Sequence, residues 1–477
     1  MDDGLCGLTA REMCNLYESG AASPVEVAES ILERVRSFDP AVNAYCAVAD
    51  DVLESARASE ERWRRGTPLG GLDGVPVSIK DNIAVTGLPI RYGSRTTPAE
   101  PARVDSPCAA RLREAGAICI GKTTLPDHAH KIVTDSQLTG ITRNPWDLGR
   151  TPGGSSGGAA AAVALGMPAA AIGTDGGGSI RIPAAFTGTF GFKPTFGRVP
   201  HAPRGPFALL SHVGPMTRCV ADAARILTVI SRPDNRDWYA LPFDGSDYEL
   251  GLKCQPSPDA MRIALSSTLG LPVEVESDVH DAVATAGSIF RTLGASIRHT
   301  DPPGVARCNA IHAALWPACC QQLADDMADK RVFLDPSLRA YADTGALVSR
   351  STLLGALVER GELGAKINAF FDEHDLVICP VYPSTAMRLA ELPAGNSLFP
   401  HFTAWCNQLG LPAASIYAGM TDEGMPLAVQ IVGAPRTDAL VLWACSVLES
   451  AIGPAPFPGL ARGLMAGMPA WAGIVAR

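Results

Sequence analysis

The sequence has 13 cysteines but no Cys-x-x-Cys pair, and it has no run of Lys or Arg dense enough to follow a phosphate backbone. Scattered thiols in odd number argue against a disulfide framework and against a structural metal, and the vicinal Cys319-Cys320 reads as packing rather than as a ligand pair. With a formal net charge of −9 and no basic patch, nucleic acid is a poor partner. Charged residues are sparse at 19% and apolar ones reach 47%, which excludes a disordered chain and predicts a large buried core. The start, Met1-Asp2-Asp3-Gly4, has neither the basic residues nor the apolar block of a secretory signal, so a cytoplasmic protein with reduced thiols is expected. No run is suited to a membrane: the longest uncharged stretch, Thr151 to Thr174, is rich in Gly and Ala and broken by Pro168. It reads as a buried core helix.

A length of 477 residues admits two or three average domains, but it also suits one large α/β sheet. There is no internal repeat and no Pro/Ser-rich linker, so one domain over 1–477 is expected. Within it, residues 1–65 form a helical wrap, 66–220 hold the unusual motifs, and 221–477 complete the sheet and the substrate pocket. Thr9 with Glu12, and Ser23-Pro24 with Glu26, have capping-box spacing and open two helices. In the second, Val27, Ile31, Leu32 and Val35 recur on one face, which should dock on the core. Val75 to Lys80 reads as a strand near the sheet interior. Asp105-Ser106-Pro107 opens a helix that Gly116 closes, and Ala117 to Ile120 returns as a strand. The alternation continues with a helix from about 157 to 165 and a strand from 169 to 173, then a glycine loop and a segment from Ile180 onward. Strands are expected at 262–265 and 376–379, with helices at 276–293 and 437–451.

Two glycine-flanked serines stand 24 residues apart, in Gly153-Gly154-Ser155-Ser156-Gly157-Gly158 and in Thr174-Asp175-Gly176-Gly177-Gly178-Ser179-Ile180-Arg181. Glycine beside serine lets a substrate approach the main chain closely. The N–H groups of Gly176, Gly177, Gly178 and Ser179 could turn inward and hold the negative oxygen of a tetrahedral intermediate. From that segment alone, a flexible or phosphate-binding loop is an equal reading. A serine hydroxyl needs a base, and lysine can serve only when neutral. Lys80, in an apolar strand segment, is a candidate because burial lowers a lysine pKa, although Asp81 beside it would oppose that shift if it pointed inward.

These motifs, together with Val77-Ser78-Ile79-Lys80-Asp81-Asn82, resemble the amidase signature family. The resemblance runs on through Thr142-Arg143-Asn144-Pro145-Trp146-Asp147, Gly191-Phe192-Lys193-Pro194-Thr195 and Gly214-Pro215-Met216 to Gly424-Met425-Pro426 with Gln430 and Gly433. It implies an α/β fold with a large mixed central sheet covered by helices on both faces. It also implies a triad of nucleophile Ser179, relay Ser155 after a cis peptide, and base Lys80, with Asp175, Arg181 and Ser156 as structural support. The implied reaction is hydrolysis of the C–N bond of small or aryl amides through an acyl-enzyme, with carbamates (urethanes), ureas or esters open to the same chemistry. No cofactor or metal is needed, and the partner is a small amide-type substrate, with a homodimer compatible. Family members often have Asn at the position of Thr124, Glu-Phe at Asp127-His128 and Pro at Tyr417, which affects pocket shape rather than the reaction. The stretch from 303 to 370, rich in small and apolar residues, matches nothing recognisable and could line the acyl side of the pocket.

Other patterns point elsewhere. Gly116 to Thr123 fits a phosphate loop, but its glycines enclose a strand and follow a helix, the reverse of the required order. Gly153-Gly154-Ser155-Ser156-Gly157 fits the nucleophile elbow of α/β-hydrolase esterases, which would need a histidine such as His401, yet the residues leading into it, Leu148 to Pro152, are no strand. His128 and His130 suggest a metal but lack a third ligand. A second enzymatic reading is the glutaminase component of a tRNA-dependent amidotransferase, which would act with protein partners.

Overall fold

Thr9 and Ser23 each accept the backbone N–H three residues on, and Glu12 and Glu26 reach back to the cap backbone, so both predicted capping boxes open helices, Ala10–Ser19 and Pro24–Val42. Val27, Ile31 and Val35 are buried, with Leu32 at the margin of the same core. A computed structural model of the chain describes residues 4–460 except 394, 396 and 397.

The strands are β1 Tyr45–Val48, β2 Pro76–Lys80, β3 Ile118–Thr123, β4 Asp135–Ser136, β5 Gly140–Ile141, β6 Ala170–Asp175 and β7 Phe190–Lys193. They continue with β8 His212–Thr217, β9 Arg262–Leu265, β10 Ser296–His299, β11 Leu376–Pro380, β12 Ala413–Met420 and β13 Pro426–Gly433. Strands β4 and β5 pair with each other; the other eleven form one sheet in the order β1-β3-β2-β6-β8-β7-β12-β13-β11-β9-β10. Pairing is parallel for β3-β2-β6 and β11-β9-β10 and antiparallel elsewhere, the mixed sheet that the resemblance implied.

Side chains alternate across a strand, and here the alternation separates two apolar layers. Leu376 and Ile378 of β11, with Val429 and Ile431 of β13, join the core that holds Leu442 and Leu448 of the helix Asp438–Ile452. Val377, Cys379 and Val432 face the opposite way, against Trp405 and Ile367. Both faces are therefore covered. The helices expected at 276–293 and 437–451 are Ser277–Thr292 and Asp438–Ile452.

One feature differs from the sequence reading, and one unassigned stretch is now defined. The first 65 residues are more than a helical wrap, because β1 pairs with β3 at the sheet edge and Tyr45 reaches Ser78 Oγ of β2 at 2.7 Å. The unmatched stretch 303–370 holds three α-helices, Val305–Asp326, Pro336–Gly345 and most of Arg350–Glu373, with the 3-10 helix Ala328–Phe333 between the first two. In the phosphate-loop lookalike, Ile118–Thr123 is a strand that follows the helix Pro107–Glu114.

Candidate active site

Strands β2 and β6 are parallel neighbours, with Ile79 opposite Ile172, so Lys80, Thr174 and Asp175 sit together at their C-terminal ends. Open α/β sheets form their crevices there. Lys80 is fully buried. Its Nζ lies 2.7 Å from Ser155 Oγ, 2.8 Å from Ser156 Oγ and 2.9 Å from Thr174 Oγ1. Burial pushes the ammonium well below the usual lysine range, and the Asp175 carboxylate offsets only part of that. Asp81 does not oppose the shift as the sequence allowed: it accepts the amides of Arg91 and Gly93 at 3.0 and 3.1 Å and pairs with Lys122 at 3.7 Å.

Three hydroxyls surround the Lys80 amine. A neutral amine has two N–H donors and one lone pair. Ser156 donates its hydroxyl to Thr174 O at 3.1 Å, so it can only accept from Lys80. Thr174 Oγ1 also accepts from Asn82 Nδ2 at 3.0 Å. A neutral amine that gave its two N–H groups to Ser156 and Thr174 would present its lone pair to the Ser155 hydroxyl. Thr174, to which the sequence reading gave no role, contacts the amine directly, and Asn82 reaches it through Thr174. The Gly154–Ser155 peptide is cis, and the Ser156 N–H donates to the Ser179 carbonyl at 3.1 Å, which joins the two serine loops.

The Ser179 loop is held from beneath by Asp175. Its carboxylate accepts the amides of Gly178 at 2.7 Å and Ile180 at 3.1 Å, on either side of Ser179. It also receives Arg181 Nε at 3.0 Å and Nη2 at 2.9 Å. Burial alone would raise this carboxyl, but Arg181 first, then Lys193 and Asn407, outweigh it and hold it well below the usual carboxylate range. The remaining Arg181 donors reach Thr403 O, Gln430 Oε1 and Asn407 Oδ1 at 3.0, 2.7 and 2.6 Å. A buried ion pair of this kind persists only when such partners complete it.

The loop also corrects one expectation. Gly178 does not turn its N–H inward with its neighbours, because Asp175 takes it. The amides of Gly176, Gly177 and Ser179 meet no acceptor among the described residues, and Gly177 and Ser179 line a cavity of about 130 Å³.

The other walls of that cavity include His130, Lys131, His312, Trp316, Tyr341 and Phe399. His312 stacks on Trp316 at 5.2 Å and meets Phe399 edge-on at 5.9 Å. Burial lowers the His312 pKa to about 4, so the ring is neutral. Lys131 is paired with Asp135. His312, Trp316 and Tyr341 come from the stretch that sequence comparison left blank, and no local pattern marked them. Thr124, Asp127, His128 and Tyr417, where this chain departs from the family, are absent from the described lining of the cavity. Thr124 instead bonds to Thr142 Oγ1 at 2.7 Å.

Ser155 has Lys80, not a histidine, as its partner, and the His401 ring packs on Phe399 at 5.0 Å. No strand leads directly into Ser155, so the esterase elbow has no counterpart here. His130 is bonded through both ring nitrogens, to Asp127 O and Ser337 Oγ at 2.7 and 2.9 Å, and His128 Nε2 meets Thr96 Oγ1 at 3.1 Å. No helix among the described residues is long and apolar enough to cross a membrane.

The amidase family model matches residues 26–442. The chain is 34% identical to a glutamyl-tRNA(Gln) amidotransferase subunit of Symbiobacterium thermophilum, over 91% of this chain and 95% of that protein. It is 33% identical to an acylamidase of Rhodococcus erythropolis, over 94% and 96%. A bacterial aryl acylamidase of the amidase signature enzymes superposes with a TM-score of 0.86 at 30% identity, over 97% of this chain and 99% of that one. With this fold and these matches, the chain belongs to the amidase signature family, hydrolases that act on amide C–N bonds.

Proposed function

We propose that the protein hydrolyses small or aryl amides through an acyl-enzyme on Ser179. In this reading, neutral Lys80 draws the Ser155 proton, and Ser155 in turn takes the proton of Ser179 as its oxygen attacks the carbonyl. The amides of Gly176, Gly177 and Ser179 receive the developing oxyanion. The same relay returns a proton to the leaving nitrogen, and water then releases the acyl group. The observation that carries the reading is the buried Lys80 amine 2.7 Å from Ser155 Oγ, in a loop hydrogen-bonded to the Ser179 loop.

An aromatic cavity of about 130 Å³ beside Ser179 supports the substrate class, being close to the roughly 150 Å³ that holds one benzene ring. Carbamates, ureas and esters present a similar carbonyl and belong to the same proposal. Thirteen free cysteines support a reducing, cytoplasmic setting, and a sheet that draws strands from Tyr45 to Gly433 supports a single domain.

Replacing Ser179 by Ala should abolish turnover of an anilide, Lys80→Ala should remove most of it, and Ser155→Ala should fall between them or near zero. A fluorophosphonate should label Ser179. Near-normal activity in purified Ser179→Ala or Lys80→Ala, or a label on Ser155, contradicts the assignment.

The 34% identity to an amidotransferase component favours a second reading, a glutaminase that works with partners. Free glutamine carries an α-ammonium group, and no carboxylate is among the described residues lining the cavity, which favours the first. Assaying anilides, primary amides, carbamates, ureas and glutamine side by side separates the two.

A further inference from the structure

Thr403 lies 224 residues beyond Ser179 in sequence, just before the short helix Ala404–Gln408, and its side chain is fully buried. Its hydroxyl donates to the Gly177 carbonyl at 2.5 Å. The other end of the same peptide unit, the Gly178 N–H, donates to Asp175 Oδ1 at 2.7 Å. A peptide is planar, so holding its carbonyl and its N–H from opposite sides fixes its rotation.

The contacts close into a ring. Thr403 O accepts Arg181 Nη1 at 3.0 Å, and Arg181 grips the Asp175 carboxylate that holds Gly178. Gly178 has φ +141°, and a Cβ there would stand 2.2 Å from Thr403 Oγ1. Glycine is therefore required, and Thr403 occupies the space that a side chain would take.

We propose that Thr403 is a positioning residue: by fixing the Gly177–Gly178 peptide it sets the direction of the flanking Gly177 and Ser179 amides, the donors to the oxyanion. This rests on the reading of Ser179 as nucleophile. The hydroxyl touches no reacting atom, so its effect appears in the transition state rather than in substrate binding. Hydrogen-bond donors misplaced by a fraction of an ångström forfeit much of their value, and loss of one such donor costs roughly 100–1,000-fold in rate.

The test uses the full chain with p-nitroacetanilide as substrate and phenylboronic acid, which forms a tetrahedral adduct on an active serine, as the transition-state probe. Thr403→Val should lower kcat roughly 10–100-fold with KM nearly unchanged, and should weaken phenylboronic acid by a similar factor. Thr403→Ser, which keeps the hydroxyl, should restore most of both. If the valine variant does not fold, Thr403→Ala against Thr403→Ser makes the same comparison, because both lack the methyl group and differ only in the hydroxyl. Wild-type kcat in a folded Val variant, or equal kcat in Ala and Ser, overturns the proposal. Full activity in Ser179→Ala would instead remove the reading beneath it, so the two failures are distinct.

Discussion

Lys80 Nζ stands 2.7 Å from Ser155 Oγ, and both side chains are buried. In the proposed mechanism the amine is useful only without its proton, and burial disfavours the charged form. The kcat/KM for an anilide should therefore rise along an acid limb whose apparent pKa lies well below the 10.5 of a free lysine. A limb that titrates near the free value would contradict the role.

The same shift has a stability consequence of opposite sense to a salt bridge. Unfolded, Lys80 keeps its proton up to about its free pKa; folded, it has already lost it. Between those two pKa values the unfolded state binds one more proton, so wild-type stability rises with pH and declines as pH falls. Lys80→Met removes that dependence. The melting temperature of the variant relative to wild type should be higher at pH 7 than at pH 10, and an equal difference at both would mean that the folded amine is charged.

Arg181 and Asp175 form a pair with no exposed surface. Arg181→Met leaves a buried carboxylate without its counter-ion and should cost about 3–5 kcal/mol in denaturant unfolding. Adding Asp175→Asn should recover part of that loss, because contacting residues couple. Strict additivity of the two substitutions would show that the pair acts as independent groups.

Trp316 and His312 form one stacked wall of the cavity. Trp316→Ala should lower kcat/KM for anilides roughly tenfold or more, through lost aromatic contact, while short aliphatic amides change little. Equal losses on both would place the aromatic wall away from the substrate.

Much of this site could be read from the chain because its motifs are local. The glycine-serine segments and the strand ending in Lys80 are short, and the capping boxes at Thr9 and Ser23 are fixed by spacing alone. The orienting partners were hidden because they meet only in the fold. Thr403 and Asn407 reach the Ser179 loop from over 220 residues away, and a Thr or Asn in isolation carries no sign of its target. One indirect signal was present: a buried Arg181 needs acceptors for all its donors, so an amide or carbonyl from elsewhere had to exist. Gly178 was misread because a row of glycines shows where N–H groups can turn, but not which one a neighbouring carboxylate will take. His312 and Trp316 lie in a helix whose mixed composition does not reveal what it faces.

Lys80 ends β2 and the Ser179 loop follows β6, adjacent strands in the interior of the sheet, whereas His312, Trp316 and Tyr341 belong to helices contributed by a distant stretch of chain. On the proposed reading, chemistry and selectivity are thereby carried by different stretches of the chain. Residues 305–345 are then where substitutions should change which amide is accepted while leaving the strand that delivers Lys80 unaltered.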